Sequence, residues 1–128
     1  MARTFNGSSQ YLSASSTLLT NEPIDFVMYA NSDSTTAGQA PLSLGNNAAS
    51  GFFAMTLQGA VAGDPVRLFK QSDAGANGFA DSVAYSALVW YLLGGTFISN
   101  TSRAVYLDGT KTTNATNTAD PSPDFITI

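Results

Sequence analysis

The sequence contains no cysteine and no histidine, and only 11% of its 128 residues are Asp, Glu, Lys or Arg. The first two absences exclude disulfides, thiolate chemistry, Ser-His-Asp and Cys-His catalytic sites, and zinc sites built on nitrogen or sulfur ligands. An ordinary globular domain carries about 25% charged residues, more than twice this share. Ser, Thr, Asn, Gln and Gly must therefore supply most of the polar surface.

Basic residues are scarce, with five Lys and Arg against nine Asp and Glu and a net charge of -4. Nucleic acids and anionic membranes are both bound through clusters of Lys and Arg, so we expect neither as a partner. The longest apolar run, residues 87–93, is too short for a transmembrane helix. The 44% hydrophobic content is enough for a packed core, and the length predicts one domain over residues 1–128.

Short apolar runs separated by Gly, Asn, Asp, Ser and Pro recur along the whole chain, which is typical of a β-sandwich or barrel. Residues 24–30 have two largely apolar faces and predict a central strand. Asp108-Gly109 is a strong hairpin-turn dipeptide, and Asn6-Gly7 predicts a second turn. Further strands are predicted at residues 2–5, 10–12, 41–44, 51–58, 66–71, 82–86, 88–97, 103–107, 110–114 and 125–128.

Three segments together resemble a known domain family. Residues 4–12 resemble the opening of a laminin G-like, concanavalin A-like jelly-roll domain, where a Phe-x-Gly-x-x-x-Tyr pattern starts the first strands. Residues 24–30 resemble the family's next strand, with Tyr29 where a Trp is common. Trp90, then Phe97, then the Tyr106-Leu107-Asp108-Gly109 hairpin resemble the family's Trp strand and its hairpin. The resemblance covers nearly the whole chain and implies an antiparallel, all-β sandwich. The structural residues that it implies are Phe5, Gly7, Tyr29, Trp90, Phe97, Tyr106, Asp108 and Gly109.

The chain departs from the family pattern in two places. Tyr91-Leu92 stand where the family often has His, and the family normally continues past residues 125–128 with a Gly and further strands. We therefore expect a jelly roll that lacks its last strands within this chain, through truncation or because another chain supplies the missing strand. An unpaired apolar edge at residues 125–128 would then favour a partner.

Acidic residues are the only groups in this chain that could perform acid-base chemistry. Glycosidases of this fold place closely spaced Glu and Asp residues along one strand face. This chain has one Glu, Glu22, with Asp25 three positions on, and no i, i+2 acidic pair in a predicted strand. A hydrolase would depend on Glu22. We expect instead a solvent-exposed Glu22, no catalytic residue and no enzyme.

Ligand-binding candidates come from loops. The resemblance leaves calcium as an alternative to no cofactor, because laminin G-like domains can hold it with Asp side chains on rim loops. Asp33 and Asp108 are the candidate metal ligands, although the turn itself explains Asp108. Without an Asp-x-Asp-x-Asp pattern we expect no metal. The candidate glycan ligands are Asn31, Asn46 and Asn47, whereas Trp90 and Tyr106 are expected in the core.

One combination of features separates the candidate functions. Jelly-roll domains of this kind usually work outside cells, yet no apolar signal-peptide segment follows Arg3. Bacteriophage virion proteins agree with both observations, because they are made in host cytoplasm and then meet the exterior. The low-charge, Ser/Thr-rich composition of this chain is also similar to theirs. We therefore expect a virion structural protein, a capsid decoration or fibre-type component located in the virion. Its expected partners are other virion proteins or copies of itself, with host surface glycans in addition. The alternative is a carbohydrate-binding module or lectin from a longer bacterial protein.

Overall fold

The computed structural model describes residues 13–15, 22–45, 50–123 and 125–127. In these segments the chain forms ten strands and no helix, and so none that could cross a membrane. The strands are β1 (Ser13–Ser15), β2 (Ile24–Asn31), β3 (Gly38–Gly45), β4 (Phe52–Gln58), β5 (Pro65–Gln71), β6 (Asn77–Ala84), β7 (Trp90–Ser99), β8 (Ser102–Leu107), β9 (Thr110–Asn114) and β10 (Phe125–Thr127).

Two antiparallel sheets form a sandwich, as the sequence predicts. The larger sheet has the strand order β1-β10-β3-β4-β5-β6, and the smaller sheet has the order β2-β7-β8-β9. Successive side chains of a strand point to opposite faces, so each sheet contributes alternate residues to the space between them. β4 also carries buried residues on both faces.

The core lies between the two sheets and is centred on three phenylalanines. The ring of Phe97 on β7 meets Phe53 of the opposite sheet edge-on, with 4.9 Å between centroids, and meets Phe26 of β2 at 5.8 Å. Leucine, valine and methionine fill the surrounding space. The buried apolar residues include Ile24, Phe26, Leu44, Phe53, Met55, Leu57, Val66, Leu68, Leu93, Phe97, Val105 and Leu107.

The position of β2 differs from the prediction. Among the described strands β2 pairs only with β7, over the full length from Ile24 to Asn31, and so lies at the edge of the smaller sheet. The prediction of a central strand is therefore wrong. Two apolar faces indicated burial on both sides, but among the described residues no second layer covers the outward Val27 and Tyr29, which are exposed.

The position of β10 also corrects an expectation. Phe125–Thr127 pairs with β1 on one side and with β3 on the other. The expected unpaired edge at residues 125–128 is therefore wrong for the described part of that segment. Long-range pairing with β1, more than 100 residues earlier in the chain, satisfies backbone groups that the sequence alone left without a partner.

The remaining strand predictions differ mainly in their bounds. β6 spans Asn77–Ala84, whereas the sequence predicts a loop at residues 71–78 and a strand only from residue 82. Gly78 concealed this strand because glycine is rare within strands, yet here its missing side chain leaves room for Thr118 and the Arg103 guanidinium. The predictions for residues 2–12, including Phe5 and Gly7, lie outside the described residues.

Candidate functional site: the outward face of the smaller sheet

Large apolar side chains cover half of the outward face of the smaller sheet. Alternation along β2 and β7 sends Ile24, Phe26 and Phe97 inward and sends their neighbours outward. We call the outward apolar set the β2–β7 face, and its side chains keep half or more of their surface exposed. Its members are Val27 (73% exposed), Tyr29 (65%), Trp90 (50%), Leu92 (50%) and Ile98 (51%).

Tyr29 and Trp90 form a stacked aromatic pair on this face. Their ring centroids lie 5.2 Å apart and their planes are inclined by 15°. The expectation that Trp90 fills the core is wrong, because its neighbour Tyr91 takes the inward position in the strand. A tryptophan in an apolar run with two apolar faces gives no sign of the side on which it lies. The pair is therefore an exposed aromatic platform.

The register places one predicted ligand residue beside this platform. Asn31 is the β2 residue that pairs with Trp90 on β7, and it is half-buried. The other two predicted glycan ligands, Asn46 and Asn47, lie outside the described residues. Of the three, Asn31 is thus the one that the described structure brings next to exposed aromatic side chains.

A groove runs across the face over Gly94. Gly94 pairs with Val27 on one side and with Tyr106 on the other, and its missing side chain leaves a hollow between them. The cavity measures about 430 Å³, within the range of small ligand sites. Its lining is mostly backbone and apolar side chains, with Asp25 and Thr96 adding a carboxylate and a hydroxyl.

Tyr106 lies at the wall of this groove and is half-buried, not part of the core. A Cβ built on Gly94 would be only 3.3 Å from the Tyr106 Cβ and 3.5 Å from its ring, so the tyrosine borders the glycine as one wall of the groove. Lys111 of β9 lies 5.9 Å from the Tyr106 ring centroid. The β8–β9 half of the outward face is thus more polar and more cationic than the β2–β7 face.

The Asp108-Gly109 turn closes the β8–β9 hairpin, as predicted. Both residues have positive φ, 47° and 83°, the pair of angles that a tight two-residue hairpin turn needs. The Asp108 carboxylate accepts the backbone N–H of Leu92 at 2.8 Å, and the Asp108 N–H donates to the Leu92 carbonyl at 3.0 Å. Asp108 therefore ties the hairpin to β7.

The described residues contain no group of three or more acidic side chains arranged to hold a metal ion. Asp33, the other candidate metal ligand, is exposed in the segment between β2 and β3. The two candidates thus lack the further acidic ligands that a hard cation such as calcium would need. That the protein uses no cofactor is a prediction, and this geometry does not test it.

A buried ion cluster at one end of the sandwich was not predicted. The fully buried Lys70 ammonium donates to Glu22 Oε1 at 2.9 Å, to Asn100 Oδ1 at 2.8 Å and to the Asp120 carboxylate. Burial raises the pKa of the Glu22 carboxyl, and the hydrogen bond from Lys70 opposes that rise. Alternation along β5 places Lys70 on the same inward face as Val66 and Leu68, and this pattern is the sequence signal for a buried lysine.

The expectation of a solvent-exposed Glu22 is wrong. The Glu22 side chain keeps only 4% of its surface exposed and is held by Lys70, whereas Asp25 points outward from β2. The two carboxyl groups therefore belong to different environments: one in the ion cluster, the other beside the groove. A glycosidase needs two carboxyl groups flanking one bond, and this pair does not have that arrangement.

Arg103 is a second buried cation next to the cluster. Its guanidinium donates to Asn114 Oδ1 at 3.1 Å, to the Asn100 carbonyl at 3.2 Å and to the Thr116 carbonyl at 2.7 Å. Burial lowers the pKa of this arginine. Because the Thr116 carbonyl lies in the segment that follows β9, Arg103 holds the start of that segment against the sandwich.

The larger sheet carries its own outward aromatic row. Phe69 lies between Phe52 and Phe79 on adjacent strands, with centroid distances of 5.0 Å and 6.3 Å. The Arg67 guanidinium lies 3.9 Å from the Phe79 ring centroid and forms two hydrogen bonds with Asp81, at 2.6 and 2.8 Å. Apolar groups are therefore exposed on both outer surfaces of the sandwich.

No protein-family model matches the sequence, and no curated protein does. Among solved structures, the chain is similar to domains LG4-5 of the mouse laminin alpha1 chain, with a TM-score of 0.70 and 13% sequence identity. The similarity covers 94% of this chain and 31% of that one, so the chain spans about a third of its neighbour's length. At this identity the likeness concerns the fold alone. The protein therefore has a laminin G-like β-sandwich fold.

Proposed function

We propose that this protein is a bacteriophage virion structural protein, a capsid decoration or fibre-type component that packs against other proteins and catalyses no reaction. The observation that carries the proposal is the exposed β2–β7 face. With about 200 Å² for a large side chain, its five members expose roughly 600 Å² of apolar surface. The largest apolar patch on a typical monomer measures about 300–600 Å² and is often functional, so this face lies at the upper end of that range.

The energetics of this face suit protein packing. At about 25 cal/mol per Å², burying roughly 600 Å² favours association by about 15 kcal/mol as an upper bound. The loss of translational and rotational freedom opposes association by about 4–15 kcal/mol. The few long charged side chains of this sequence reduce the rotamer entropy lost at a contact. The aromatic row on the larger sheet offers a second surface, as a subunit with neighbours on two sides would need.

The separation of the carboxyl groups supports a non-enzymatic role. Glu22 is engaged by Lys70 inside the sandwich, and Asp25 lies on the outward face. Surface complementarity then accounts for function without any chemical step. The proposed location is the virion, which the protein would join after synthesis in host cytoplasm. The proposed partners are other virion proteins or copies of itself.

Quantitative mass spectrometry of purified particles tests the proposal. We expect this chain in a fixed stoichiometry with the major capsid protein, and its absence would overturn the virion role. Hydroxyl-radical footprinting supplies the structural arm. Tyr29 and Trp90 should be protected in particles relative to the free protein, whereas the buried Phe97 should be unreactive in both states. Equal labelling of Tyr29 and Trp90 in both states would contradict packing through this face.

Carbohydrate binding is the second candidate function, and one observation favours it. The stacked Tyr29 and Trp90 rings lie on the same face as a groove of about 430 Å³ whose lining includes a carboxylate and a hydroxyl. Sugars stack on aromatic rings and use such polar groups for their hydroxyls. A glycan array with and without calcium tests this function. Binding that is lost in Trp90→Ala and kept in Phe79→Ala would support it, and no binding in either condition would overturn it.

A further inference from the structure

We propose that the β2–β7 face is a homodimer interface on which a second copy of this chain packs its own β2–β7 face. The inference rests on the proposed function and deepens it by naming the partner. Three properties of the face support a second copy: its area, its alternation of hollow and protruding side chains, and the placement of its polar groups.

The available area matches that of a stable interface. The five members of the β2–β7 face expose roughly 600 Å² of apolar surface when about 200 Å² is taken per large side chain. Asp25, Asn31 and Thr96 on the same face add polar surface to that area. A standard interface buries about 800 Å² per partner.

A two-fold axis across the strands makes the face complementary to itself. Suppose that this axis passes over Met28 of β2. A β2 residue a given number of positions before Met28 in one copy then faces the residue the same number of positions after Met28 in the other copy. The cross-strand row of Val27, Gly94 and Tyr106 in one copy then lies over the row that contains Tyr29 and Leu92 in the other copy. Leu92 of each copy therefore enters the groove of the other, between Val27 and Tyr106. Packed sheets stand about 10 Å apart, which allows such interdigitation.

Polar groups at the rim agree with the same arrangement. The axis at Met28 places residue 25 of one copy opposite residue 31 of the other, so the Asp25 carboxylate meets the Asn31 amide twice in the dimer. The two Asp25 carboxylates stay apart. An axis parallel to the strands would instead lay Val27 and Tyr29 over the polar β9, with its exposed Lys111, and leave their apolar surface poorly matched.

Sedimentation equilibrium of the purified chain with a matched pair of variants tests the interface. We expect twice the 13.3 kDa monomer mass at about 100 µM, because interfaces of this area have dissociation constants of micromolar or below. Val27→Glu places two unpaired charges in the dimer and should raise the dissociation constant at least about 100-fold. Val83→Glu makes the same change at an exposed edge-strand valine of the larger sheet and should leave it unchanged.

A charge exchange tests the register. Asn31→Asp brings two carboxylates together and should weaken the dimer at least about threefold, while the double variant Asn31→Asp with Asp25→Lys should restore it. Circular dichroism confirms that each variant is folded. A wild-type chain that stays monomeric at about 100 µM would overturn the dimer. An equal effect of Val27→Glu and Val83→Glu would overturn the face. Either result leaves the virion role standing, because particle composition decides that proposal.

Discussion

Replacing Lys70 with methionine should destabilise the protein strongly, although the two side chains have similar lengths. Lys70 is fully buried and compensates the carboxylates of Glu22 and Asp120 through direct hydrogen bonds. Removing one partner of a buried ion pair typically costs about 3–5 kcal/mol, because the remaining charge is left without compensation. Domains of this size are stable by only about 5–15 kcal/mol. The melting temperature should therefore fall by about 10–20 °C.

Urea unfolding followed by circular dichroism measures this change, and the chain offers a matched control. Lys111→Met makes the same substitution at an exposed lysine whose described interaction is with the Tyr106 ring, and should cost at most about 1 kcal/mol. The triple variant that combines Lys70→Met with Glu22→Gln and Asp120→Asn removes all three charges and should recover much of the lost stability. If Lys70→Met costs no more than Lys111→Met, the buried ion cluster does not contribute as the geometry implies.

Three further variants test separate parts of the fold by urea unfolding. Because burial raises the pKa of Glu22 above 4.5, its stabilising contribution is complete below that pH and declines as the pH rises. The free energy of unfolding of the wild type relative to Glu22→Gln should therefore fall between pH 4 and pH 8, and a rise would contradict the raised pKa. Phe97→Ala should cost about 3–5 kcal/mol, whereas a loss under 1 kcal/mol would deny its central place in the core. Asp108→Ala, at positive φ and without its hydrogen bond to β7, should cost about 1–3 kcal/mol. Asp33→Ala is its exposed control, and equal losses in the two would refute the role of the turn.

Strands were predicted where the signal lies in residues adjacent in the sequence. The alternation at residues 51–58 and the Asp108-Gly109 dipeptide predicted β4 and the β8–β9 hairpin, and the structure confirms both. The backbone angles of that turn depend on two adjacent residues, so sequence reasoning has all the information that it needs. Most of β6 was not predicted, because Gly78 weakens the local strand signal. The reason for a glycine there is the close approach of Thr118 and Arg103, which lie far away in the chain.

The candidate site could be predicted only in part. The sequence shows that residues 24–30 have two apolar faces, but it does not show which face another layer covers. The family resemblance implies structural roles for Trp90 and Tyr29, whereas the structure exposes both as a stacked pair. The groove depends on Gly94 lying between Val27 and Tyr106, a register set by three strands that are distant in sequence.

Composition and local pattern are enough to exclude whole classes of chemistry and to predict the class of fold. Without histidine and cysteine, and with short alternating apolar runs between turn residues, an all-β sandwich was the expected result. Which apolar side chains stay in contact with water depends on the packing of the two sheets, and the same packing brings Lys70 to Glu22 and Asp120, 48 and 50 positions away in the chain. The physical reason is that alternation assigns a side chain to a face of its own strand, whereas burial and charge pairing depend on what the other sheet places opposite that face.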